Sequence, residues 1–293
     1  METKSTSVSI PDANELIEVK KPTSLLIAQF FLFPLIIIAI CIGIFLLFGY
    51  LTYQQETAQE YLNDVRNGST LRWQSAYDLS NVISTQKDKL RNTNFVNDLV
   101  KVYQGSHDDD PRVRRYLALT MGHLGDPRAV PALTQGLNDA DTDNQINTLL
   151  ALGLIGDKSA TPAVVERLGS RDPAIRKMAA FVLTALKDPG ASRELQVALN
   201  DTNDGVRWYA AIALAQVNDA SGTDVLMKLI DRSYIDKLQD LTPDQKSQLV
   251  ISAVKCLGIL KFQPAKDRIL ALSQSDPDLA VRDASLEALK RFS

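Results

Sequence analysis

The sequence predicts an all-α chain: a right-handed α-solenoid of stacked helix pairs preceded by a single transmembrane helix. Three observations predict it. Asp126, Asp157, Asp188 and Asp219 follow one another at a step of 31 residues, and a period of that length marks a stack of two-helix units. The apolar residues between them recur at helical spacings. Ahead of the repeats, no charge occurs between Lys21 and Glu56, a run longer than the about 20 apolar residues needed to cross a bilayer.

Composition narrows the partners. Formal net charge is −3 over 293 residues. Three basic and four acidic residues precede Gln54, leaving 29 basic and 31 acidic residues for the rest. Nucleic-acid binding leaves a basic excess, and none is present, so no nucleic-acid partner is expected. Cys41 lies in the apolar run and Cys256 in an expected helix, so the two do not pair.

Residues 1–23, polar and punctuated by Pro11 and Pro22, read as a mobile tail. Residues 24–53 read as the membrane helix, with Pro34 near its start and Tyr50 and Tyr53 suited to the far interface. The run is about twice the 7–15 residues of a signal-peptide core, so an uncleaved anchor is expected. Ile40 before Cys41 rules out a lipoprotein site. Lys20 and Lys21 abut one end, whereas the first basic residue beyond the other is Arg66. The positive-inside rule places the N-terminus in the cytoplasm and the repeats in the extracytoplasmic or periplasmic space.

Residues 54–69 read as a linker or helix extension, with Tyr61, Leu62 and Val65 on one face and a break at Asn67-Gly68-Ser69. The solenoid occupies 70–293: a terminal unit at 70–103, regular repeats over about 110–229, an insertion over about 230–248 and closing units at 249–293. Each regular unit opens on an Asp, often Asp-Pro as at Asp110-Pro111, which suits an N-cap with proline in the first turn. Val113, Leu117 and Leu124 return as Ile175, Ala179 and Leu186, and again as Val206, Ala210 and Val217. Gly125 and Gly156 suit left-handed C-caps. Asp126-Pro127 and Asp188-Pro189 are expected to start second helices. From Ala215 the next equivalent is Gly258, so 12 extra residues fall within the insertion. Thr242-Pro243-Asp244-Gln245 is expected to cap the next helix, and Asp276-Pro277 to open the last one.

The pattern Asp110-Pro111, Val113-Arg114, Ala118, Gly122, Leu124-Gly125-Asp126, Ala129-Val130-Pro131, Leu133 resembles the HEAT-like repeats of phycobilin lyases. The layout, one N-terminal span followed by such repeats, looks like membrane-anchored bacterial HEAT proteins. The resemblance implies a scaffold that binds a membrane-associated protein partner and carries no cofactor. Its alternative implication is a lyase-like enzyme or a chromophore-handling protein. Deoxyhypusine hydroxylases resemble this fold but hold iron through repeated His-Glu pairs. Here His107 and His123 are followed by Asp108 and Leu124, so no such metal site is implied.

No nucleophile elbow, phosphate loop, His-Glu-x-x-His or Cys-x-x-Cys occurs, and no catalytic or metal-binding residue is assigned. Arg114, Arg176 and Arg207, with Gln145 between them, keep the 31-residue step. With Asp110, Asp126, Asp157, Asp188 and Asp219 they are expected to form a structural Asp–Arg ladder that sets the rotation between repeats. His107-Asp108-Asp109-Asp110 reads as a solvated acidic turn. In this fold second helices carry the usual contact face, which points to Gln135, Glu166, Gln196 and Lys228 as candidate protein-binding residues. The insertion adds Tyr234, Asp236 and Lys237, because insertions in solenoids map to a binding face; the alternative reading of the insertion is a disordered spacer.

Overall fold

The computed structural model describes residues 31–52, 57–68, 71–90 and 94–292. The chain divides into two compact units, Met1–Glu56 and Thr57–Ser293. In the first unit the described element is helix α1 (Phe33–Thr52), 20 residues without a charge. Every side chain described there, from Phe31 to Phe48, is exposed. Among the described residues, no helix is long and apolar enough to cross a membrane. The single span expected over 24–53 is therefore not shown. Its first residues, 24–30, its last, Tyr53, and the tail at 1–23 lie outside the described residues.

The second unit is helical throughout its described residues. It opens with α2 (Ala58–Arg66), capped by a reciprocal Thr57–Glu60 box. Residues 58–66, expected as a linker or an extension of the anchor, instead bury Ala58, Leu62 and Val65 in the core of the stack. Pairs follow: α3 (Arg72–Leu90) with α4 (Phe95–Gln104), α5 (Pro111–Leu124) with α6 (Val130–Gly136), and α7 (Thr142–Ile155) with α8 (Thr161–Glu166). Next come α9 (Pro173–Leu186) with α10 (Ser192–Ala198), and α11 (Asp204–Gln216) with α12 (Thr223–Leu229). The insertion holds a short helix, α13 (Arg232–Ile235); α14 (Pro243–Ile259) pairs with α15 (Lys266–Ser275), and α16 (Leu279–Leu289) follows. First helices pack on one another in chain order, α3 on α5, α5 on α7 and so on to α14 on α16.

Close approach between them is written into the small residues. A methyl group at Gly122 of α5 would stand 2.8 Å from the Cα of Ala151 on α7, nearer than a real contact allows. Val113, Leu117, Leu124, Ile175, Ala179, Leu186, Val206 and Ala210 are buried, each large one contributing about 1.5–3 kcal/mol; Val217 ends half-buried at the C-cap of α11. The buried residues form two clusters, and α11 supplies both: Val206, Ala210 and Leu214 to one, Trp208, Ala211 and Ala215 to the other.

The repeated aspartates are caps. Asp110, Asp141 and Asp172 accept backbone N–H bonds at the starts of α5, α7 and α9. Asp126, Asp157, Asp188 and Asp219 cap three-residue 3-10 turns that lead into the second helices. Those helices therefore begin one turn later than the Asp-Pro signal alone places them. Left-handed backbone recurs at Gly125, Gly156, Lys187, Asn218 and Lys261, so the helix-ending turn survives where glycine does not.

The arginines pair with aspartates other than those of the expected ladder. Arg114 reaches Asp139 at 2.7 Å and Arg176 reaches Asp201 at 2.7 and 2.8 Å. Asp139 and Asp201 also accept the N–H two residues onward, at Asp141 and Asn203. Each thus ties one repeat's first helix to the turn that begins the next. Gln145, Arg207 and Arg282 bond the carbonyl six residues before them, at Asp139, Asp201 and Asp276; Arg207 also pairs with Asp204. A 43-residue step puts Val250 where Arg207 stood. The lost cation returns from the insertion: Arg232 grips Asp276 through two bonds of 2.6 and 2.8 Å. Asp276 is thereby spent as an anchor, and the last helix starts at Asp278 rather than at Asp276-Pro277.

Candidate binding groove

The second-helix candidates are exposed but not gathered. Gln135 on α6 rims a hollow of about 240 Å³ with Tyr103, His107 and Arg114. Glu166 ends α8 beside Arg167, 3.3 Å away. Gln196 on α10 is a stacking contact, its amide donating to Asp219 at 2.9 Å and Ser221 at 3.2 Å. Lys228 lies exposed on α12. In the insertion Tyr234 packs half-buried on the second core cluster. Asp236 faces Arg232 at 3.6 Å, and its carbonyl accepts Lys246 at 2.9 Å. Of the seven, Lys237 alone lines a second and wider hollow.

That cavity is an open groove of about 910 Å³ on the first-helix side, between α9, α11, α14 and the insertion. It exists because the repeat step breaks there. Eight residues after α13 the chain has to return to the first-helix row, and the loop Lys237–Leu241 does so as a wall beside α11. Its floor is apolar: Phe181 and Tyr209 meet edge to face at 5.1 Å, Trp208 is buried beneath them, and Leu238, Leu241 and Leu249 close the far side. Phe181 remains 40% exposed, an aromatic surface that water covers at a free-energy cost. Burial pushes the Tyr209 phenol up from its ordinary value, so it stays neutral.

The wall is tied at both ends. The Arg232–Asp276 pair pins one end of the insertion, Asp276 being fully buried. At the other end Thr242 and Gln245 form the expected reciprocal box, with bonds of 2.9 and 3.3 Å. The polar rim carries Lys177, Asp204, Lys237, Gln239, Asp240, Asp244 and Gln248. An apolar floor under a polar rim is the layout of a recognition site. Among the described residues, no cluster of three or more His, Cys, Asp or Glu side chains could hold a metal ion.

Phe181, Trp208 and Tyr209 are the residues that reading along the sequence misses. Trp208-Tyr209 stands where the other first helices carry Arg115-Tyr116, Ile146-Asn147 and Lys177-Met178, and the tryptophan was the available signal. Phe181 carried none, because its neighbour on the next helix is set by stacking.

The sequence pattern of HEAT repeats matches residues 97–171 and 161–236. No curated protein matches the chain. Among solved structures, the complex of CpcE and CpcF of phycocyanin lyase from Nostoc sp. PCC7120 is similar, with TM-score 0.52 and 18% identity over 82% of this chain and 96% of that one. An archaeal HEAT-like repeats protein from Thermococcus onnurineus NA1 gives TM-score 0.45 and 13% identity, covering 82% of this chain and 98% of that one. At these identities likeness speaks for fold alone, and the weight rests on the first. Residues 97–236 match the pattern of HEAT repeats, and the unit from Thr57 onward has the fold of a helical-repeat solenoid.

Proposed function

We propose that this chain is a membrane-anchored scaffold, without chemistry of its own, that binds a protein partner at the membrane surface. Its N-terminus lies in the cytoplasm and its repeats lie in the extracytoplasmic or periplasmic space. The observation that carries the reading is the contrast between the two units. The repeat aspartates and arginines are consumed in caps and inter-repeat bonds, while the groove between α9, α11 and α14 stays open. From Phe31 to Phe48 every side chain is exposed, among them Phe33, Ile37, Ile44 and Phe48. Apolar exposure on that scale calls for lipid or another protein, and the uncharged run continues beyond the described residues on both sides. An anchor raises the effective concentration of a membrane-bound partner.

The test has three parts. Alkaline carbonate extraction should leave the full chain in the membrane fraction. Protease added to intact spheroplasts should degrade the repeat unit. A photo-crosslinker at position 239 or 228 should form an adduct with one defined protein in native membranes. Release by carbonate would remove the anchor, protection from protease would reverse the orientation, and the absence of an adduct at both positions would remove the partner.

A second reading, a lyase-like or chromophore-handling protein, is favoured by the groove's volume, which falls within the range of small-molecule sites, and by its aromatic floor. Visible absorbance of the purified chain, or its uptake of a free bilin, would decide for it.

A further inference from the structure

We propose that the groove takes an extended segment of the partner protein in which a bulky apolar side chain stands beside a basic one. The inference rests on the scaffold reading and adds to it the chemistry of the partner. The apolar half follows from the floor, where the exposed surface of Phe181, the Tyr209 ring and Leu241 offer a surface for one large side chain.

The basic half follows from the rim. Asp240 and Asp244 are exposed, line the groove and have no ion-pair partner among the described residues. Asp244 sits in the first turn of α14, inside the Thr242–Gln245 box, and Asp240 stands two residues before that box; each carboxylate is one methylene from the backbone. The opposing charges, Lys177 and Lys237, sit at the ends of long flexible stems that can turn their ammonium groups to solvent. Lys177 already lies with its stem across Gly205. Asp204 is occupied by Arg207. The short-stemmed carboxylates therefore select a cation, while the long-stemmed lysines give way.

Trp73 and Trp208 are the two tryptophans of the chain, so Trp73→Phe leaves Trp208, under the groove floor, as the sole fluorescent reporter. Full-length Trp73→Phe protein in detergent is titrated with three synthetic twelve-residue peptides sharing a central Leu-Phe flanked by Lys, by Gln or by Glu. The lysine-flanked peptide should shift Trp208 emission with a Kd about tenfold below that of the glutamate-flanked one, as two exposed ion pairs of up to about 1 kcal/mol each allow. Asp240→Asn with Asp244→Asn should abolish that preference and leave the circular-dichroism melt unchanged. Equal binding of the three peptides, no shift with any, or a preference that survives the double asparagine change would each overturn the proposal. A crosslinked protein adduct at position 239 alongside such a failure would mean that the chemistry is wrong and the scaffold reading stands. Absence of adducts at 239 and 228 would remove the scaffold reading itself.

Discussion

Replacing Arg176 by methionine removes one guanidinium and keeps most of the stem's volume. In the folded chain that guanidinium makes two bonds of 2.7 and 2.8 Å to Asp201 and a third of 3.0 Å to the carbonyl of Ser170. The paired side chains are 15% and 13% exposed, so this is close to a buried ion pair. Breaking such a pair costs about 3–5 kcal/mol when fully buried, and residual solvent brings the expectation here to about 2–3 kcal/mol. Asp201→Asn retains an oxygen for the Asn203 N–H, so the double variant should be less destabilised than the sum of the two single changes. A coupling energy of about 1–2 kcal/mol is expected.

The acid limb has a definite sign. Arg176 holds the Asp201 carboxyl below its ordinary value, so the contribution is complete above the unfolded carboxylate range and is lost as pH falls through the folded value. Urea denaturation followed by far-ultraviolet circular dichroism should therefore show the gap between wild type and Arg176→Met closing from about pH 7 to about pH 3. Stack proteins can unfold in parts, so the midpoint of the repeat transition is the quantity to compare. A coupling below about 0.3 kcal/mol, or a gap that widens on acidification, would refute the claim that Asp201 is the bolt between two repeats.

Lys187→Gly should stabilise by about 0.5–1 kcal/mol and raise Tm by about 1–4 °C, since Lys187 holds φ 49° where other repeats use Gly125 and Gly156; a lower Tm would show that its stem matters more than its backbone. Arg232→Met leaves fully buried Asp276 without its cation and should speed amide hydrogen exchange across residues 230–248, whereas unchanged protection would mean the wall does not depend on the pair. Burial pushes the Cys256 thiol up to about 11, and its sulfur lies 3.8 Å from the Ile212 carbonyl. In a Cys41→Ser protein, Cys256 should accordingly resist maleimide until denaturant is added, and labelling of the native chain would contradict that burial.

Much of the stack was legible because its signals are local. An aspartate two residues before an N–H it can accept, a proline in the first turn, a glycine where the backbone must turn left: each acts within a few residues of itself, so each leaves a mark at fixed spacing. The Thr242–Gln245 box inside an otherwise irregular segment was readable for the same reason. Long-range pairings were not. Asp139 and Asp201 sit off the repeated aspartate columns, and only packing shows that Arg114 and Arg176 reach them rather than Asp126 or Asp188. Asp276 looked like a cap because Asp-Pro caps elsewhere in the chain; in the fold a cation 44 residues earlier takes its carboxylate.

What the sequence by itself determined is the repeat: its 31-residue period, its caps, the small residues that allow close approach, and the length of the break after α12. Those follow from backbone hydrogen bonding and helical periodicity, which depend on neighbours in the chain. What only the tertiary structure decided is the use of that break. The extra residues are no loose spacer: Arg232 replaces the missing cation of the stack, and Lys237–Leu241 becomes the wall of a groove over Phe181, Trp208 and Tyr209. That arrangement depends on where α11 and α14 come to rest after the core is packed, a position set by burial summed over many side chains rather than by any short stretch of sequence.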